Sequence, residues 1–125
     1  MATRTSASRS AFDIKAMEQN ADEAARLLRA LANPQRLRVL CLLVSSELSV
    51  GQINERVALS QSALSQHLAV LREEGLVHTR REAQTIFYSL AKGPALTLII
   101  ALHGIYCVPS GRRNESALCR PERQR

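Results

Sequence analysis

Apolar residues recur at helical spacing from residue 13 to about residue 75, switch to strict alternation for a dozen positions, and then return to helical spacing. The clearest segment is LSQSALSQHLAVLREEGLV, residues 59–77, in which Leu64, Leu68 and Leu71 form one stripe. Ser62, Ser65, Gln66 and Ala69 fall together on another face, which is short, polar and almost uncharged. Ser60 is placed to cap this helix, and Gly75 to end it in a left-handed conformation. Upstream, the pattern predicts a first helix from Asp13 to about Ala32, with Met17, Ala24, Leu27, Leu28 and Leu31 on its apolar side. Asn33 caps a second helix that has Pro34 at its first position. Its buried stripe is read as Leu37, Leu40, Cys41 and Val44, so Cys41 is expected to face inward. Ser49 and Gln52 have the spacing of a capping box and open a short third helix, with Val50, Ile53 and Val57 turned to the core.

The short link between that helix and the next makes the pair a helix-turn-helix. Val77 and Thr79, then Ile86, Tyr88 and Leu90, alternate on either side of a turn and predict a two-stranded hairpin, or wing. Arg80, Arg81 and Gln84 are assigned to its tip, either as contacts to DNA phosphates or as an ordinary solvated turn. Gly93 and Pro94 open a last helix that is apolar nearly all round, through Leu96, Leu98, Ile99, Ile100, Leu102 and Ile105. Such a helix must be covered on most sides, and in so small a domain the expected cover is a second copy of the chain. The fold class is therefore mainly α with a small β-hairpin wing, ordered α-α-α-α-β-β-α, forming a homodimer. Residues 1–12 are read as a disordered arm, 13–108 as the folded domain and 109–125 as a basic, disordered tail.

Composition narrows the function more than the fold. A chain of 125 residues with 3% aromatics holds one small domain. A net charge of +6 favours a polyanionic partner, nucleic acid before an anionic membrane surface. No apolar run is long enough to cross a bilayer and the N-terminus lacks a signal-peptide core, so a cytoplasmic protein with no membrane partner is expected. Nothing marks an enzyme: there is no CxxC, no glycine-rich cofactor loop and no recognisable pair of carboxylates, and no cofactor is expected. On the Ser/Gln helix, Gln can bond an adenine edge in two places, Ser can donate or accept, and Ala permits close approach. Gln61, Ser62, Ser65, Gln66 and His67 are the candidate DNA contacts there, with His67 near the apolar border and equally suited to an internal bond.

The combination of Leu31-Ala32-Asn33-Pro34-Gln35-Arg36-Leu37 with Ser62, Ser65, His67, Leu68, Leu71, Gly75, Leu76 and Val77 resembles the ArsR-type winged helix-turn-helix repressors. The resemblance spans about residues 14–107 and implies a homodimer that binds inverted-repeat operator DNA and releases it on a chemical signal. Many relatives sense metals through two cysteines in a segment like ELCVCDL; here the matching residues read Glu47-Leu48-Ser49-Val50-Gly51-Gln52-Ile53, with neither thiol. The wing carries Glu82 and Ala83 where Gly and basic residues are common in the family. Cys41 on the second helix and Cys107 at the end of the last resemble the dithiol of the persulfide-sensing branch. That resemblance implies that reactive sulfur species join the two through extra sulfur atoms and so release DNA. Read from the residues alone, Cys41 is also a candidate core hydrophobe. The alternative is a metal or metalloid sensor in which His103 and Cys107, at i, i+4, join Cys41 as ligands, and otherwise His103 is simply packed. Cys119 belongs to the tail and is given no role.

Overall fold

The computed structural model describes residues 12–107, so the arm and tail assigned above lie almost wholly outside it. The elements run α1 (Ile14–Gln19), α2 (Ala21–Leu31), α3 (Pro34–Leu43), β1 (Leu48–Ser49), α4 (Val50–Arg56), α5 (Gln61–Glu73), β2 (Val77–Glu82), β3 (Thr85–Leu90) and α6 (Pro94–Tyr106). Local capping explains most of the boundaries. Asp13 accepts from Ala16 N–H at 3.1 Å. Asn33 accepts from Gln35 and Arg36 N–H at 2.9 and 3.1 Å, and the capping box of Ser49 and Gln52 is formed in both directions. Ser60 accepts from Ala63 N–H, and Gly75 has φ +73°, the left-handed conformation its place after α5 demands.

The single first helix expected from the sequence is two. Asn20 Nδ2 donates to the Ala16 carbonyl at 2.9 Å, and a side chain that competes for helical carbonyls in this way favours a break. Met17 and Leu28, on the apolar side of that helix, are exposed. The sheet has three strands rather than two, in the order β1-β3-β2 and antiparallel throughout. The added strand is a two-residue piece in which Leu48 pairs with Tyr88 and Ser49 with Phe87.

The core collects Val39, Leu40 and Leu43 of α3, Ile53 of α4, Leu64, Leu68 and Leu71 of α5, Tyr88 of the wing and Ile99 of α6. On α3 the buried stripe is thus set about one residue round from the reading above: Leu40 is buried and Leu37 half-buried, but Val44 is exposed and so is Cys41. Helix α3 touches α2, α5, α6 and β3. Among the described residues no helix is long and apolar enough to cross a membrane.

Candidate nucleic-acid interface and thiol site

Helix α5 presents two chemically different sides. Leu64, Leu68 and Leu71 are buried, and Gln61, Ser62, Ser65, Gln66 and Ala69 are exposed. Four side chains able to hydrogen-bond, together with one small methyl, thus lie on a helix held from behind by the core. The turn before it is fixed by Asn54, whose Nδ2 donates to the Leu59 carbonyl at 2.9 Å and ties α4 to the head of α5. Asn54 carries no distinctive pattern in the sequence, and its role emerges only from the folded turn.

His67 differs from its neighbours on α5. It is half-buried, and its Nδ1 lies 3.4 Å from Arg36 Nη1. A guanidinium can only donate, so the ring accepts at Nδ1 in this arrangement. Arg36 also donates through Nε to the Ala30 carbonyl at 2.6 Å and through Nη2 to the Arg29 carbonyl at 3.1 Å. These are last-turn carbonyls of α2, where the helix runs out of N–H donors, and that of Arg29 also accepts from the Ala32 N–H at 3.3 Å. Arg36 therefore ties the end of α2 to the middle of α5, and His67 takes the internal bond of its two sequence readings.

The wing residues also separate. Arg80 and Arg81 lie within β2 rather than at the tip, which is the two-residue turn Ala83 and Gln84. Arg81 and Gln84 are exposed. Arg80 is engaged: its Nε and Nη2 donate to the two Glu47 carboxylate oxygens at 3.0 and 2.8 Å. Its Nη1 donates to Glu82 at 3.2 Å, and its guanidinium carbon stands 4.7 Å from the centroid of the Phe87 ring. These hydrogen bonds hold the Glu47 carboxyl below its ordinary pKa, with desolvation opposing, and raise that of Arg80. Ala83 has φ +59° at the first position of the turn, a conformation suited to glycine.

Cys41 is a free thiol exposed on α3, which corrects the inward orientation expected for it. The adjacent chain still desolvates the thiol enough to raise its pKa above the ordinary value. Cys107 is the C-cap residue of α6, half-buried and disulfide-bonded. Cys41 has no part in that bond, and Cys119 lies outside the described residues. The helices that carry the two cysteines, α3 and α6, are in contact. His103 is exposed, and among the described residues no group of three or more His, Cys, Asp or Glu side chains is placed to hold a metal ion.

A helix-turn-helix followed by a hairpin that pairs back with β1, with a polar face on the second helix of the motif, defines a winged-helix DNA-binding regulator. Residues 33–79 match the family described as bacterial regulatory protein, arsR family. The transcriptional activator HlyU of Vibrio cholerae is 53% identical over 96 residues, covering 77% of this chain and 89% of that protein. The biofilm growth-associated repressor of Agrobacterium fabrum is 50% identical over 96 residues, covering 77% and 82%. Among solved structures, the transcriptional repressor BigR from Xylella fastidiosa superposes with a TM-score of 0.73 at 43% identity, covering 78% of this chain and 99% of that one. The chain belongs to the ArsR family of transcriptional regulators.

Proposed function

We propose that this chain is a dimeric, dithiol-based transcriptional repressor that binds inverted-repeat operator DNA when reduced and releases it when persulfide or polysulfide joins Cys41 to Cys107. The observation that carries the DNA-binding half is the exposed face of α5, where Gln61, Ser62, Ser65 and Gln66 stand clear of the buried Leu64, Leu68 and Leu71. Arg81 and Gln84 follow the flanking backbone. Relatives are named both as activator and as repressor; repression is favoured here because a winged helix seated on a promoter blocks it by occupancy alone. The protein acts in the cytoplasm, with no cofactor and no turnover.

The sensing half rests on the contact between α3 and α6, the helices bearing Cys41 and Cys107. With Cys107 released by reduction, one thiolate takes a sulfane sulfur from a polysulfide, which leaves as a shortened hydropolysulfide. After further extension, the second thiolate attacks the protein-bound sulfur chain and expels hydrosulfide. The protein thiols are oxidised, the polysulfide is reduced, and the bridge retains inserted sulfur. A direct disulfide needs Cα atoms within about 7 Å, a limit that inserted sulfur relaxes. Fastening α3 to α6 then alters the separation of the two reading helices, which the duplex requires to be about 34 Å. The metal-sensing alternative has less support, since Cys41, Cys107 and His103 form no three-ligand group.

The test is mass spectrometry of protein that has been fully reduced, freed of reductant and exposed to a persulfide donor, paired with DNA binding. The expected product links residues 41 and 107 through one or more added sulfurs and no longer binds. Cys41→Ser and Cys107→Ser should each bind DNA but no longer release it. A Cys41→Ser protein that still releases DNA overturns the sensing mechanism.

A further inference from the structure

The outer face of the wing carries an arrangement that the DNA-contact reading leaves unused. In the order β1-β3-β2, Ser49, Phe87 and Arg80 occupy one cross-strand row. The Arg80 side chain starts on β2 and lies over Phe87 of the middle strand. It ends on Glu47, the residue immediately before β1, so that one side chain spans the whole sheet. What it fastens matters, because β1 is only two residues long and Ser49 within it is also the cap of α4. Two ladder pairs are a weak attachment for β1, and although Val77 and Tyr88 seat the base of the hairpin in the core, residues 81–85 at its far end are exposed. The bidentate pair with Glu47, the bond to Glu82 and the ring beneath engage three of the guanidinium's five N–H donors, one on each nitrogen, and one of its faces.

From this geometry we infer that Arg80 and Glu47 form a cross-sheet clamp that sets the angle of the wing relative to the helix-turn-helix, and that Arg80 is a positioning residue rather than a phosphate contact. The clamp rests on the DNA-binding reading for its purpose and on the wing alone for its existence, so the two are tested separately. It also predicts a sign that simple electrostatics reverses. Removing an acid from a protein that binds a polyanion should strengthen binding, whereas Glu47→Gln frees the wing and should weaken it.

The experiment uses the full reduced chain and a duplex selected from a random pool by the wild-type protein. Glu47→Gln should bind about five- to tenfold more weakly, a size usual for residues that act without touching the ligand. The exchanged pair Glu47→Arg/Arg80→Glu keeps the net charge and restores the ion pair, but it gives up the ring contact and sets a carboxylate beside Glu82, so it should recover part of the lost affinity. In Arg80→Ala the slope of log affinity against log salt should stay unchanged, whereas loss of a phosphate contact would lower it by about 0.9. In the free protein, ¹⁵N relaxation should show residues 81–85 gaining motion in Glu47→Gln and losing part of it again in the exchanged pair. Equal or tighter binding by Glu47→Gln, a reduced salt slope in Arg80→Ala, or unchanged relaxation would each overturn the clamp. Failure of the wild-type protein to select any duplex would instead count against the DNA-binding reading and leave the relaxation result to decide the clamp.

Discussion

Ser65 shows how much a single exposed hydroxyl on α5 is asked to do. It sits one turn beyond Gln61 and on the same side as Ser62 and Ala69, with no intramolecular partner needed to hold it there. Ser65→Glu places an anion where phosphates are expected, and like-charge juxtaposition at an interface costs several kcal/mol. Operator affinity measured by fluorescence anisotropy should fall by about a hundredfold, with the folded fraction unchanged. Ala83 offers an independent test on stability. With φ +59° it carries a Cβ where glycine carries none, so Ala83→Gly should stabilise the domain by about 1 kcal/mol, read from thermal unfolding. Cys41 should be alkylated slowly at neutral pH, because its raised pKa leaves little thiolate there. Its rate should climb as pH passes above the ordinary thiol range.

At the scale of elements, what was legible in the sequence was what is decided locally. Asn33, Ser49, Ser60 and Gly75 act within four residues of themselves, and each does what its place in the pattern implies. The face of α3 was not legible for a physical reason. From Leu37 to Val44 only Arg38 is polar, so periodicity has little contrast, and the packing of α5, α6 and β3 decides which residues are covered. The exposed position of Cys41 follows from that packing and not from its place in the pattern. Strand β1 and the clamp on Arg80 depend on partners some 33 to 40 residues away, which no local window contains. The two sides of α5 should respond oppositely to truncation. Leu68→Ala should cost about 2–5 kcal/mol of stability, and Ser62→Ala less than about 0.5 kcal/mol while weakening DNA binding. Acid should open the clamp. Glu47 is depressed in the folded state, so its bond contributes fully above the ordinary carboxylate pKa of about 4.3 and is lost as pH falls through the depressed value. The Arg80 Nε–H resonance followed by NMR should report that loss, and only on the acid side.

Across the whole molecule, the unburied apolar surface is concentrated at the two ends of the described chain. Ile100, Ile105 and Tyr106 of α6, with Ile14 and Met17 of α1 and Leu28 of α2, all stand exposed. A helix with hardly any polar side chain gains little from water, and a second copy is the expected cover. Ile100→Glu should therefore shift sedimentation from dimer to monomer and weaken operator binding, because a single half-site remains. Unfolding of the wild-type protein should move to higher temperature as protein concentration rises. Helix α3 carries the remaining consequence. Its ten residues form a strut about 15 Å long. The exposed sulfur stands near one end, and at the other the first turn, through Arg36, grips His67 of the reading helix. On the mechanism proposed above, a pull on the sulfur would reach α5 as a small tilt of one stiff rod, with no need to melt any part of the fold.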